Sequence, residues 1–196
     1  LTPDKLKLIV LLLRDRVHLN KINRLCYTAA LMTAVFALLR ASEYTSSSLD
    51  SFDPEITLTR KDITFFRDEN GKLERVNIFI KASKTDVFRE SFTAPIFATD
   101  SPTFNPVETL FDYYIQTKHR SRNSPLFARW EEGRYKNLTP GHLNTKLKEW
   151  CDLAKFPKLT THSCRLGGAT ALAATGHSDD QIRQAGRWKS DCFKIY

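Results

Sequence analysis

Thr161-His162-Ser163-Cys164-Arg165-Leu166-Gly167-Gly168-Ala169-Thr170 is the stretch whose reading decides the fold. A helix opening near Thr161 holds His162 and Arg165 in its first turns, one turn apart and able to face the same way. The small residues Gly167-Gly168-Ala169 allow a second helix to pack closely against it. An arginine fork grips a phosphate at two points. Downstream come Gly186-Arg187-Trp188 and Tyr196. A tyrosine hydroxyl can attack phosphorus and form a covalent intermediate. Together these residues point to phosphoryl transfer by a tyrosine nucleophile.

Outward from this stretch the chain reads as mostly helical. Thr2, Pro3 and Asp4 suit a helix start, and Leu6, Ile9, Val10, Leu13 and Val17 form its apolar stripe. A second helix carries Leu25, Ala29, Met32, Phe36 and Leu39 at helical spacing and is expected to deliver Arg40 near its C-terminal end. Between helices, residues 56–96 read as a small antiparallel sheet. Ile56-Thr57-Leu58-Thr59 and Ile63-Thr64-Phe65-Phe66 are β-rich, and Asn70-Gly71 signals a turn. Val76, Ile78 and Ile80 alternate as in a hairpin strand. Ala82-Ser83-Lys84-Thr85-Asp86 is a turn, and the chain returns from Val87 to Ile96. Helices resume at Asn105-Pro106, at Thr139-Pro140 with Leu143, Leu147 and Trp150, and at the Ser178-Asp179-Asp180-Gln181 capping box, the last ending near Gly186. Lys118 to Ser124 reads as a surface loop, in which His119, Arg120 and Arg122 either touch DNA backbone or are simply solvated.

Thirty Lys and Arg against twenty-two Asp and Glu give a net charge of +8. That balance favours a polyanionic partner such as nucleic acid. A hydrophobic fraction of 41% is ample for a core over 196 residues. The apolar runs Leu8 to Leu13 and Ala34 to Leu39 are too short to span a bilayer, and the N-terminus lacks the pattern of a signal peptide. Cys26, Cys151, Cys164 and Cys192 are scattered without metal-ligand spacing and read as free thiols. A two-metal nuclease needs clustered carboxylates, whereas Asp50, Asp53, Asp62 and Asp179-Asp180 lie apart. No cofactor and no metal are expected.

In order and spacing, Arg40-Ala41-Ser42-Glu43, Lys84, His162-Ser163-Cys164-Arg165 and Tyr196 together resemble the catalytic domain of the tyrosine recombinases of phage-integrase type. The resemblance spans nearly the whole chain. Arg165 to Thr170 and Gly186-Arg187-Trp188 most resemble the recombinases of eukaryotic mobile elements, namely tyrosine-recombinase retrotransposons and Cryptons. It implies an α+β, mainly helical fold with the small sheet inserted near residues 56–96. It also implies site-specific cutting and rejoining of DNA, for integration or transposition, through a 3′-phosphotyrosyl intermediate without a metal. In that reading Tyr196 is the nucleophile, and Arg40 and Arg165 clamp the phosphate. Lys84 is the general acid, favoured over the neighbouring Lys81. His162 is the general base or a phosphate ligand, and Glu43 supports Arg40. The family's further phosphate donor directly follows the glycine, nine residues before the tyrosine. Arg187 stands there and Trp188 one later, so either serves.

The resemblance further implies double-stranded DNA as partner, self-assembly on DNA as a tetramer in the full-length protein, and no membrane. Residues 1–196 are expected to be one catalytic domain and a fragment, with an N-terminal DNA-clamping domain and a C-terminal tail absent. Localisation is expected to be nuclear for a eukaryotic source and cytoplasmic otherwise. Two rival readings are a type IB topoisomerase-like relaxation of DNA and a non-catalytic DNA-binding module derived from a mobile element.

Overall fold

A computed structural model of the chain describes residues 1–15, 19–81 and 91–190. The elements are α1 (Pro3–Arg14), α2 (Lys21–Phe36), α3 (Ala41–Tyr44), a 3₁₀ turn (Arg60–Asp62), β1 (Ile63–Arg67), β2 (Leu73–Ile80) and β3 (Phe92–Phe97). They continue with α4 (Pro106–Gln116), β4 (Ala128–Glu131), β5 (Arg134–Asn137), α5 (Pro140–Ala154), α6 (Thr161–Ala174) and α7 (Asp179–Gly186). The helix starts follow their local chemistry. Pro3, Pro106 and Pro140 open α1, α4 and α5. The side chains of Asn20, Asn105, Thr139 and Ser178 accept from first-turn N–H groups of their helices. Val17, expected to extend the α1 stripe, lies outside the described residues.

The core forms around α2. Ten consecutive residues, Cys26 to Val35, are buried. A helix apolar on every side must be covered on every side, and α2 packs against α1, α4, α6 and β4. Leu31 and Met32 are fully buried there, and so are Ala29, Ala30 and Ala34, whose small side chains let neighbours come close. Gly168 of α6 meets α2 so tightly that a Cβ placed on it collides with the Val35 carbonyl. Gly168→Ala is therefore expected to cost about 1–3 kcal/mol of stability, read as a lower denaturant midpoint at unchanged slope; an unmoved midpoint would show the two helices free to separate. Cys26, Cys151 and Cys164 are free and buried, and burial pushes the Cys26 thiol up to about 12. Cys192 lies outside the described residues, among which no helix is long and apolar enough to cross a membrane.

The inserted sheet is antiparallel in the order β1-β2-β3. Ile63 faces Ile78, which faces Ala94. The alternation places Val76, Ile78, Ile80, Ala94 and Ile96 inward, towards α4. Gly71, at φ +79, closes the β1–β2 turn. The expected strand at Ile56-Thr57-Leu58-Thr59 does not form. Leu58 donates to the Glu43 carbonyl at 2.7 Å, and its own carbonyl accepts from Leu126 at 2.8 Å. The segment thus bridges α3 and the loop before β4 instead of joining a ladder. A second hairpin, β4–β5, turns at Glu132-Gly133, both at positive φ. Its inward charges are paired: Arg129 and Lys136 reach Glu131 at 2.6 and 3.0 Å. Their hydrogen bonds pull the Glu131 carboxyl down to about 2. Arg120, expected on a solvated or DNA-facing loop, instead ties its loop inward. It donates to the Pro125 and Leu126 carbonyls and to the Tyr113 hydroxyl at 2.6, 3.2 and 3.1 Å.

Candidate active site

The site is built where α2 ends. The helix stops at Phe36, because Leu39 N–H returns to the Ala34 carbonyl at 2.9 Å and Leu38 N–H to the Val35 carbonyl at 3.4 Å. This is a Schellman closure with Leu38, φ +48, at the position that favours glycine. The left-handed conformation costs a leucine about 1–2 kcal/mol. Burial of its side chain against Ala169 and Ile182 offsets this. The expected placement of Arg40 at the end of α2 is thereby corrected. The chain reverses at Leu38, and Arg40 becomes the residue before the first turn of α3. The same reversal leaves the Ala37 and Leu38 carbonyls facing the arginine side chains described next.

Glu43 is the hub. It is 1% exposed. Its Oε1 accepts from Arg40 Nη1 at 2.9 Å, and its Oε2 accepts from the Arg40 backbone N–H at 2.7 Å and from Arg187 Nη2 at 2.7 Å. Arg187 also donates to the Ala37 and Leu38 carbonyls, each at 3.4 Å. Its own carbonyl accepts from Arg40 Nη2 at 3.4 Å. Burial lowers the pKa of the Arg187 guanidinium, and the Glu43 carboxylate acts against that fall. Arg165 comes from α6. Its Nη1 donates to the Leu38 carbonyl at 2.7 Å and its Nη2 to the Gly186 carbonyl. Three guanidiniums and one carboxylate meet here, which leaves a net charge of +2 in a space partly closed to water.

Two further contacts hold this geometry. The hydroxyl of buried Tyr44 lies 3.5 Å from the Thr161 carbonyl and 3.9 Å from Cys164 Sγ, linking α3 to α6. Asn144 of α5 accepts from the Thr161 N–H at 2.8 Å and fixes the start of α6. His162 is exposed in that first turn, one turn ahead of Arg165. Trp188 carries Arg165 on its ring at 4.3 Å. Gly186 has no Cβ because the Trp188 ring occupies that place. The α7 end closes as α2 does, with Trp188 N–H to the Arg183 carbonyl at 3.0 Å and Arg187 at φ +56.

Lys84 and Tyr196 lie outside the described residues. Phe92, the first residue of β3, has its ring 5.7 Å from Arg187 Cζ. Lys81, the local rival of Lys84, is committed elsewhere. Its ammonium pairs with Asp62 at 2.7 Å and donates to the Pro54 carbonyl at 2.6 Å. Arg40 is the most open of the three arginines, its side chain 33% exposed. It borders an open cavity of about 580 Å³ lined also by Ser42, Thr45, Ser46, Thr57 and Pro140. Among the described residues no group of three His, Cys, Asp or Glu is placed to hold a metal ion. Sequence reasoning gave Glu43 a supporting role towards Arg40 but missed its bond to Arg187 and the Leu38 carbonyl shared by Arg165 and Arg187. No spacing in the chain signals either contact.

Neither a protein-family model nor a curated protein matches the sequence. The fold matches solved structures. One is the XerH site-specific recombinase bound to difH substrate in a pre-cleavage complex, at 18% identity and a TM-score of 0.68. Others are a Flpe–Holliday junction complex, at 14% and 0.60, and the Tn1549 transposon integrase in complex with transposon right end DNA, at 12% and 0.59. The matches cover 100%, 94% and 100% of this chain but 49%, 44% and 59% of those chains, so the chain spans about half of their length. This mainly helical chain with its small inserted antiparallel sheet has the fold of the tyrosine recombinase catalytic domain.

Proposed function

We propose that this chain is the catalytic domain of a site-specific DNA recombinase that cuts and rejoins duplex DNA through a 3′-phosphotyrosyl intermediate. The observation that carries this reading is the meeting of Arg40 and Arg165, from opposite halves of the chain, at one pair of turned helix ends. Charge builds on the non-bridging oxygens of a scissile phosphate in its transition state, and fixed guanidiniums are suited to stabilise it. In the reaction the Tyr196 oxygen bonds to phosphorus and the bond to the 5′-oxygen breaks. Lys84 gives the departing oxygen a proton, and His162 accepts the tyrosine proton or holds the phosphate. The phosphodiester energy stays in the tyrosyl link, so attack by a 5′-hydroxyl rejoins the strand. DNA-bound neighbours and a net charge of +8 support duplex DNA as the partner. Self-assembly on DNA, as a tetramer of the full-length protein, belongs to the same proposal. The finer reading, a eukaryotic mobile-element enzyme acting in the nucleus, rests on the Arg165–Thr170 run and on Gly186-Arg187-Trp188.

A suicide substrate nicked beside the cleavage site tests the reading. The expected result is a covalent protein–DNA adduct that disappears in Tyr196→Phe. An adduct that persists in that variant would overturn the nucleophile assignment, and relaxation of supercoiled DNA without paired sites would favour the topoisomerase reading.

A further inference from the structure

We propose that Arg187 is a positioning residue: it ties the Glu43 carboxylate to the carbonyls at the end of α2 and through Glu43 fixes Arg40 for the phosphate. The inference rests on the recombinase reading and deepens it. Arg187 occupies the place, nine residues before Tyr196, where the family resemblance implies a phosphate donor. Its surroundings fit a strut better. Its Nη1 and Nη2 donate to Ala37, Leu38 and Glu43. Its Nε is buried without an acceptor and out of reach of solvent, so no phosphate oxygen approaches it without rearrangement. Both Arg187 and Leu38 take left-handed backbone conformations at this junction, a cost tolerated where the surrounding structure holds the residue in place. Arg40, by contrast, opens on the cavity beside α3. Both of its terminal guanidinium nitrogens rest on this strut: Nη1 bonds Glu43 and Nη2 bonds the Arg187 carbonyl.

Two measurements on the whole chain test this. In single-turnover cleavage of the nicked duplex at saturating DNA, Arg187→Ala is expected to slow adduct formation about a hundredfold, the scale of a misplaced catalytic group. DNA affinity stays near wild type and Arg187→Lys recovers part of the rate. The double variant Glu43→Gln/Arg187→Ala is no slower than Glu43→Gln alone, because both changes break one strut. If Arg187→Ala costs the same factor in the Glu43→Gln background, Arg187 touches the phosphate itself and the proposal falls. The second readout needs no cleavage. In ¹⁵N NMR the Arg40 Nε–H signal is expected to be rigid in the wild-type chain and mobile in Arg187→Ala, with the Arg165 signal unchanged. A rigid Arg40 in that variant overturns the proposal. If the wild-type chain forms no adduct, the recombinase reading fails alone and the NMR result still decides the strut. Should Arg187→Ala fail to fold, Arg187→Lys and Arg187→Gln carry the same comparisons.

Discussion

Arg165→Ala is expected to abolish adduct formation and to weaken the fold in a single step. The guanidinium is buried, with the residue 5% exposed. It satisfies the Leu38 and Gly186 carbonyls and fills the space above the Trp188 ring. Truncation strands the Gly186 carbonyl, worth about 1–3 kcal/mol, leaves the Leu38 carbonyl only the 3.4 Å contact from Arg187, and opens a void on an aromatic face. The net loss is expected at about 2–4 kcal/mol, within the range of broken buried networks. Adduct formation is expected to fall by at least about 10²–10³, the cost of deleting one preorganised donor to a developing oxyanion. Arg165→Lys separates the two effects. It keeps the charge but cannot hold two carbonyls from one planar fork or stack in the same way. Chemical unfolding should show part of the stability restored, while single-turnover cleavage stays near the alanine value. Full activity in Arg165→Lys would show that charge alone suffices and that the fork geometry is idle.

Much of this fold was legible because its helix starts are local chemistry. Asn105-Pro106, Thr139-Pro140 and Ser178 announce α4, α5 and α7 at the boundaries observed, and the Val76-Ile78-Ile80 alternation marks β2. The misses have a common cause: long-range contacts overrode local pattern. Ala37, Leu38 and Leu39 continue the apolar run of α2, so nothing in their types marks the reversal that presents Arg40. The usual signal, a glycine, is absent from the left-handed position. At α7 the glycine is present but sits one residue before the left-handed Arg187, where it makes room for Trp188. The β4–β5 hairpin escaped because its buried positions include Arg129 and Lys136, charges neutralised by Glu131, along the strand for Arg129 and across it for Lys136. Hydrophobic alternation cannot reveal a strand whose inner face is ionic. Arg40, Glu43, Arg165 and Arg187, which the fold brings together, are residues that order and spacing single out. The carbonyls that hold them are not singled out, because backbone acceptors carry no side-chain signature.

Glu43→Ala is the second large effect expected. The change removes the acceptor of three donors at once: the Arg40 backbone N–H, the Arg40 guanidinium and the Arg187 guanidinium. It leaves Arg187 buried and facing Arg40 with no carboxylate between them. Breaking one side of a buried ion pair costs about 3–5 kcal/mol, and the exposed part of Arg40 places the loss towards the lower end of that range. Cleavage is expected to fall about a hundredfold or more, since Arg40 loses both its anchor and its orientation. The decisive comparison is Glu43→Leu/Arg187→Leu. Replacing both members of a buried pair by apolar side chains of similar volume is often neutral for stability, so the denaturant midpoint should return towards wild type. Cleavage should not return with it, because Arg40 then has no partner on either side chain. A double variant that regains stability and remains inactive separates the two duties of Glu43, neutralising a buried cation and aiming an exposed one. A double variant that regains both would show that Arg40 finds its orientation from the DNA alone.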